Sequence, residues 1–323
     1  MIPVPYRAQL SRRRALALGA CAAAGLISAC TQGPSMTNKT DIRRVLWAAN
    51  VRTKSIDERL IAAQAGGFSH MSVFPIDWRT WTEQGLTGPG MRGRMRDAGV
   101  RVLAIDPFVQ WVPGFRMPED YPADYRSFID FPETEIFRMA EELEAESVNC
   151  VEGLGQQHEI QALIDSFGAF ADRANKRGFR VTLEFMPISS IPDLKAGWDV
   201  VDGADRANAG LCFDTWHFFR STPDFELLSR IPGYKIFEVQ LADALKALQA
   251  PTLTEDLLRF RRLPGAGEFD IESAVAYLQR IGAWRSVGPE VFADAMDALP
   301  AREVGSRCGG SLARWAPVST LST

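Results

Sequence analysis

The chain has 323 residues, with 36 Lys and Arg against 40 Asp and Glu, and a formal net charge of -4 at pH 7. That balance offers no basic field to a phosphate backbone, so nucleic acid is excluded as the expected partner. With 46% hydrophobic residues the chain can bury one large core, and a single α/β barrel would use most of its length.

The first thirty residues read as a segment separate from that core. Arg12, Arg13 and Arg14 precede an apolar run too short for a comfortable membrane span, as in an export signal. The paired arginines resemble a twin-arginine signal, and Ile27-Ser28-Ala29-Cys30 resembles the lipobox of bacterial lipoproteins, which implies a lipid tether on Cys30. An exported, periplasmic or membrane-anchored protein is therefore expected, or a cytoplasmic one where the signal is unused. Residues 31–42 are polar and turn-rich, as a tether would be. Cys150 and Cys212 fall in apolar runs and no CxxC spacing occurs, so buried thiols are expected rather than disulfides or a structural zinc.

From residue 43 to 316 short apolar runs alternate with longer amphipathic ones. The strand candidates are 44–50, 70–75, 101–107, 147–153, 180–187, 209–217, 234–243 and 284–292. Helix-like segments separate them, several ending in Gly, and residues 317–323 form a tail. Eight alternations predict a (β/α)8 TIM barrel. A doubly wound open sheet is the competing architecture, but AANVRTKSIDE after the first strand lacks the Gly-rich nucleotide-binding turn. Insertions at 108–131 and 244–268 follow strand C-termini, the face on which barrel enzymes build their sites.

Polar residues interrupt the last four apolar runs at corresponding places. These are Glu184 in LEFMP, Asp214 in CFDTWH, Gln240 in VQLAD and Glu290 in GPEVF. Barrel closure would gather them above one mouth, and converging buried carboxylates need protons or a cation to offset their desolvation. Taken singly, each could instead cap the following helix. As a set they describe a hard oxygen site for a divalent metal, suited to Mn or Mg more than to zinc.

The segments LEFMP, FDTWHFFR, VQLADA, RLPGAGEFD and PEVF, in this order, resemble the sugar phosphate isomerase/epimerase superfamily of xylose isomerase-like barrels, from about Arg43 onward. The resemblance implies that Glu184, Asp214, Gln240 and Glu290 hold the metal and that His217 and Arg262 contact substrate. Gln240 departs from the histidine common at its position, which puts zinc further from expectation.

The resemblance also implies the chemistry. Glu184 and Glu290, on opposite sides of a sugar-like hydroxyketone, would remove and return a proton through an enediolate, giving an isomerase or epimerase. A leaving group β to the carbonyl would make the same site a lyase or dehydratase. A carbohydrate-binding lipoprotein without catalysis is the non-enzymatic alternative. Nuclease chemistry of the endonuclease-IV type needs more histidines than the three present. Of the other two, His158 follows strand four on the substrate-binding face and is a candidate contact, whereas His70 opens strand two and belongs near the floor. Arg261 and Arg262 side by side, with the LPGAGEFD amides, could meet a phosphate. Oligomerisation is left open.

Overall fold

The computed structural model describes residues 42–318 apart from residue 120. The export-signal, lipobox and tether readings lie outside the described residues. Among those described, no helix is long and apolar enough to cross a membrane.

Eight strands run β1 Arg43–Leu46, β2 His70–Val73, β3 Arg101–Phe108, β4 Ser147–Val151, β5 Arg180–Glu184, β6 Ala209–Asp214, β7 Ile236–Leu241 and β8 Ser286–Pro289. All neighbours pair in parallel, and β8 pairs with β1, so the sheet closes on itself. The open-sheet alternative is thereby excluded. Parallel pairing demands a crossover between consecutive strands, and the amphipathic segments supply helices on the outside.

The observed strands stop two to four residues short of most of the apolar runs that announced them. The sequence reading extended each strand through its apolar continuation, but at the mouth the chain turns out of the sheet while staying buried. Trp47 leads into a 3-10 turn at Ala48–Val51, and Phe74 precedes the helix Pro75–Glu83, whose Pro lies at its first position. In the same way Thr215–Arg220 is a short helix, so His217 stands on its first turns rather than on β6. Apolarity reports burial, and loops at a barrel mouth can be as buried as strands.

One helix pair outside the barrel is set by missing side chains. The helix Ile56–Gly66 starts with a Ser55–Glu58 capping box and ends at Gly67, whose φ of 66° is in the left-handed region. It packs against Ala301–Leu312, where a Cβ on Gly305 would run into the backbone carbonyl of Ala62. Backbones approach that closely only where a side chain is absent.

At the floor, strand starts gather charge. Glu146, just before β4, meets Arg43 of β1 and Arg180 of β5, the latter at 3.0 Å, and lies 3.4 Å from His70 Nε2 at the start of β2. His70 is thus at the floor, as expected from its place in the run. The His70 contact, helped by the Arg43 charge and opposed by burial, lowers the Glu146 pKa to about 2. A carboxylate with a depressed folded-state pKa stabilises the fold above its unfolded value, and that stabilisation is lost as pH falls toward the folded one. Glu146→Gln is therefore expected to reduce stability at neutral pH and to be indistinguishable from the parent near pH 2, as read by urea denaturation across that window. Equal stabilities at pH 7 would contradict it.

Candidate active site

The C-terminal ends of β5 to β8 bring the four predicted ligands together. Glu184 is the last residue of β5, Asp214 the last of β6, Gln240 lies next to the end of β7, and Glu290 follows β8 directly. All four are buried, as are His217 and Arg261.

Asp214 has two jobs. Its Oδ1 accepts from the backbone N–H of Trp216 at 2.5 Å and of His217 at 3.1 Å, capping the helix that carries the histidine. Its Oδ2 accepts from Arg261 Nη1 at 2.6 Å. The sequence posed cap and ligand as rival readings of this residue, yet a carboxylate has an oxygen for each. The same Arg261 nitrogen lies 3.1 Å from Glu290 Oε2, and Glu290 Oε1 accepts from Gln240 Nε2 at 3.1 Å.

Glu184 is held from the other side. Asn149 Nδ2, on β4, donates to Glu184 Oε2 at 2.6 Å and to Asp106 Oδ1, on β3, at 2.9 Å. Asn149 Oδ1 in turn accepts from Thr182 at 2.9 Å, which fixes the amide's orientation. Glu184 Oε1 faces His217 Nε2 at 3.1 Å.

Four carboxyl groups therefore crowd together, and one guanidinium, Arg261, pairs with two of them, Asp214 and Glu290. Burial works against ionising Asp214, but the Arg261 charge and the hydrogen bond from the His217 backbone N–H hold its pKa below the usual carboxylate range. The others go the opposite way. Burial and the Asp214 charge raise Glu184, burial and Glu184 raise Asp106, and burial raises Glu290 against the pull of Arg261. Burial also lowers His217 to about 3, so its imidazole is neutral. With Nε2 facing Arg261 Nη2 at 3.3 Å and a protonated Glu184, both donors, the imidazole proton belongs on Nδ1. Nδ1 has no hydrogen-bond partner among the described residues.

These residues fit a divalent cation. Ligand atoms of Glu184, Asp214 and His217 lie within 4.8 Å of one another. The buried Gln240 Oε1 has no hydrogen-bond partner among the described residues, an unusual state for a buried carbonyl oxygen. Carboxyls whose protons are favoured by burial and by one another's charge would release them to a metal. The donors are mostly hard oxygens, with one imidazole nitrogen.

A cavity of about 840 Å³ opens onto the site. Glu184, His217, Arg261, Glu290 and Asp106 line it, whereas Asp214 and Gln240 do not. Much of the remaining wall is apolar, including Phe74, Phe128, Met186, Ile188, Leu257 and Phe292. Phe128 and Leu257 come from the two insertions, which fold into the helices Ala123–Ile129 and Leu253–Arg259 and form walls of the cavity.

Other predicted contacts are elsewhere. Arg262 turns outward to Gln249 and to the Ala266 carbonyl, and its neighbour Arg261 enters the site. His158 sits in the loop after β4 and does not line the cavity. The LPGAGEFD amides are already engaged, since Asp243 accepts from Gly265, Gly267 and Phe269 N–H groups. Cys150, Cys212 and Cys308 are free, buried thiols.

The sequence reading does not place Asp106, Asn149 and Arg261 in the central cluster. Asp106 had the same signal as the four ligands, a polar residue at the end of an apolar run, but lay on a strand outside the consecutive set. Asn149 is an uncharged residue in mid-strand and gave none.

Known proteins match this chain in both sequence and fold. A 3-dehydroshikimate dehydratase of Pseudomonas aeruginosa is 28% identical over 257 residues, covering 77% of this chain and 38% of its own length. An inosose isomerase of Bacillus velezensis is 30% identical over 135 residues, 41% of this chain and 47% of that protein. The chain thus spans half or less of the length of the curated relatives it matches. A solved structure described as the IOLI protein with a binding zinc atom shares the fold with a TM-score of 0.72 at 18% identity, covering 87% of this chain and all of that one. Residues 60–307 match the xylose isomerase-like TIM barrel family. With the closed eight-stranded barrel and the polar cluster at its mouth, this match places the chain in the xylose isomerase-like TIM barrel family.

Proposed function

We propose that the protein is a divalent-metal-dependent dehydratase acting on a cyclic hydroxyketone of the 3-dehydroshikimate type. The observation behind this reading is the pairing of Glu184 with His217 at 3.1 Å, while Glu290 Oε1 is tied to the Gln240 amide. Epimerisation needs two comparably free bases on opposite faces of the substrate. Here one of the two glutamates, Glu184, faces an imidazole, so a carboxyl–imidazole relay stands on one side of the site. The apolar wall suits a carbocycle with few hydroxyls better than an open polyol, and the dehydratase relatives match more of this chain than the isomerases do.

A divalent ion, Mn or Mg by the hardness of the donors, held by Glu184, Asp214, Gln240 and Glu290, supplies Lewis-acid stabilisation of the negative charge that develops at a substrate carbonyl. Glu184 lies where it can take the proton from the carbon next to that carbonyl. The C–H electron pair then forms a carbon–carbon double bond as the β-hydroxyl departs. Glu184 hands that proton to His217 Nε2, 3.1 Å away, and the imidazolium so formed returns it from Nε2 to the departing hydroxyl, which leaves as water while the imidazole ends neutral. Asn149 keeps Glu184 in place throughout.

Isomerisation of an inosose is the second reading, favoured by the isomerase matches to part of the chain. Incubation of Mn-loaded protein with 3-dehydroshikimate and with inososes in deuterated water separates the two. A product lacking one water supports the dehydratase. Deuterium on a ring carbon without water loss would transfer the assignment to an isomerase, and no turnover of either substrate would overturn both.

A further inference from the structure

The oxygens a metal needs are held by the chain's own cation. Asp214 Oδ1 is committed to two backbone N–H groups, so Oδ2 is the oxygen left for a ligand, and Arg261 Nη1 stands 2.6 Å from it. Glu290 repeats the pattern, with Oε1 on Gln240 and Oε2 3.1 Å from the same Nη1. The second arm of the guanidinium lies 3.3 Å from His217 Nε2. One buried cation thus touches three residues of the metal cluster. A lone pair that accepts from N–H is not free to coordinate, and in a buried site a guanidinium and a divalent ion repel strongly at such range.

We propose that Arg261 is a displaceable internal cation. Its guanidinium and the divalent metal compete for Asp214 Oδ2 and Glu290 Oε2, and metal entry moves it toward the cavity, where it binds an anionic substituent of the substrate. This rests on the metal-dependent reading above. The surroundings allow the movement. Arg261 already lines the cavity, and its guanidinium carbon is 5.0 Å from the Trp216 ring centroid and 5.2 Å from that of Phe292, flat faces along which a planar cation can slide. The other arginine in the lining, Arg52, is not available for a substrate anion, because Asp297 takes its Nε at 2.9 Å and its Nη2 at 2.6 Å. Displaced Arg261 is then the group in that wall suited to a carboxylate.

Two consequences follow from the exchange of one cation for another. Metal-free protein keeps its buried carboxylates partly compensated and stays folded. Anionic substrate binds after the metal, because only then is the guanidinium released.

The test measures Mn binding by calorimetry in metal-stripped protein at about pH 8, where exposed carboxylates are ionised. Arg261→Ala is expected to bind Mn at least about tenfold more tightly than the parent, within the range of site-to-site coupling in proteins. Arg262→Ala, which removes an outward-facing charge next door, is expected to match the parent. Methylguanidinium added to Arg261→Ala should refill the vacated place and raise the apparent Kd for Mn, while sodium chloride at equal ionic strength should not. Equal or weaker Mn binding by Arg261→Ala overturns competition and leaves the metal-dependent reading standing. So does a methylguanidinium effect no larger than that of salt, which would reduce Arg261 to a distant field. Failure of parent and variant alike to take up Mn overturns both. If Arg261→Ala does not fold, Arg261→Met, which keeps the stem volume, carries the first comparison.

Discussion

Replacement of Glu184 by Gln is expected to lower kcat at least about 10³-fold with the fold retained, within the range that loss of a positioned acid–base group produces. The amide keeps the volume and can still face Asn149 and His217, so the packing around it is preserved. It cannot accept a proton from carbon, and a neutral oxygen is a weaker metal ligand. Product formation read against a thermal melt checks this. Activity within tenfold of the parent, with an unchanged melt, would remove Glu184 from its role. A control lies close by. Asn149→Asp replaces a donor to Glu184 with a third carboxyl in the Asp106–Asn149–Glu184 row, so it disturbs the positioning of Glu184 while leaving the base itself in place.

Stripping the protein with a chelator is expected to abolish turnover and to lower the melting temperature without unfolding the barrel at room temperature. A metal present at about 100 times its Kd stabilises a fold by about 2.7 kcal/mol, and its removal takes that away. The remaining cluster is not left as naked charge, because burial favours the neutral forms of Glu184, Asp106 and Glu290 and Arg261 pairs with Asp214. Added Mn should restore both activity and melting temperature. Full turnover by protein shown to be free of metal would end the metal-dependent reading.

Much of this architecture was legible because its physics is local. Alternating apolar and amphipathic runs announce strands buried on both faces and helices with one wet face. Their order around a closed sheet follows from right-handed crossovers between consecutive strands. The polar residues of the last four strands could be placed at one mouth from that rule alone. The strand ends were less legible. Thr215–Arg220 is as apolar as a strand, and only the Asp214 cap and the turn away from the sheet make it a helix.

The members of the site that the sequence did not place correctly share a cause. Arg261 and Arg262 are identical residues in adjacent positions of one insertion. Which side chain enters the barrel depends on the antiparallel bridge between Asp243 and Arg262, which fixes the orientation of that segment. Asn149 acts through two hydrogen bonds from one amide, to residues 43 and 35 positions away, and nothing in its neighbours marks it.

The sequence by itself determined the barrel and the end of it at which Glu184, Asp214, Gln240 and Glu290 gather, because periodicity and strand order are properties of the chain alone. The tertiary structure decided which oxygens of those residues are free, which arginine neutralises them and which carboxyl is paired with the histidine. Those are matters of ångströms between residues far apart in the chain, set by packing in a closed interior where a buried charge must find a partner.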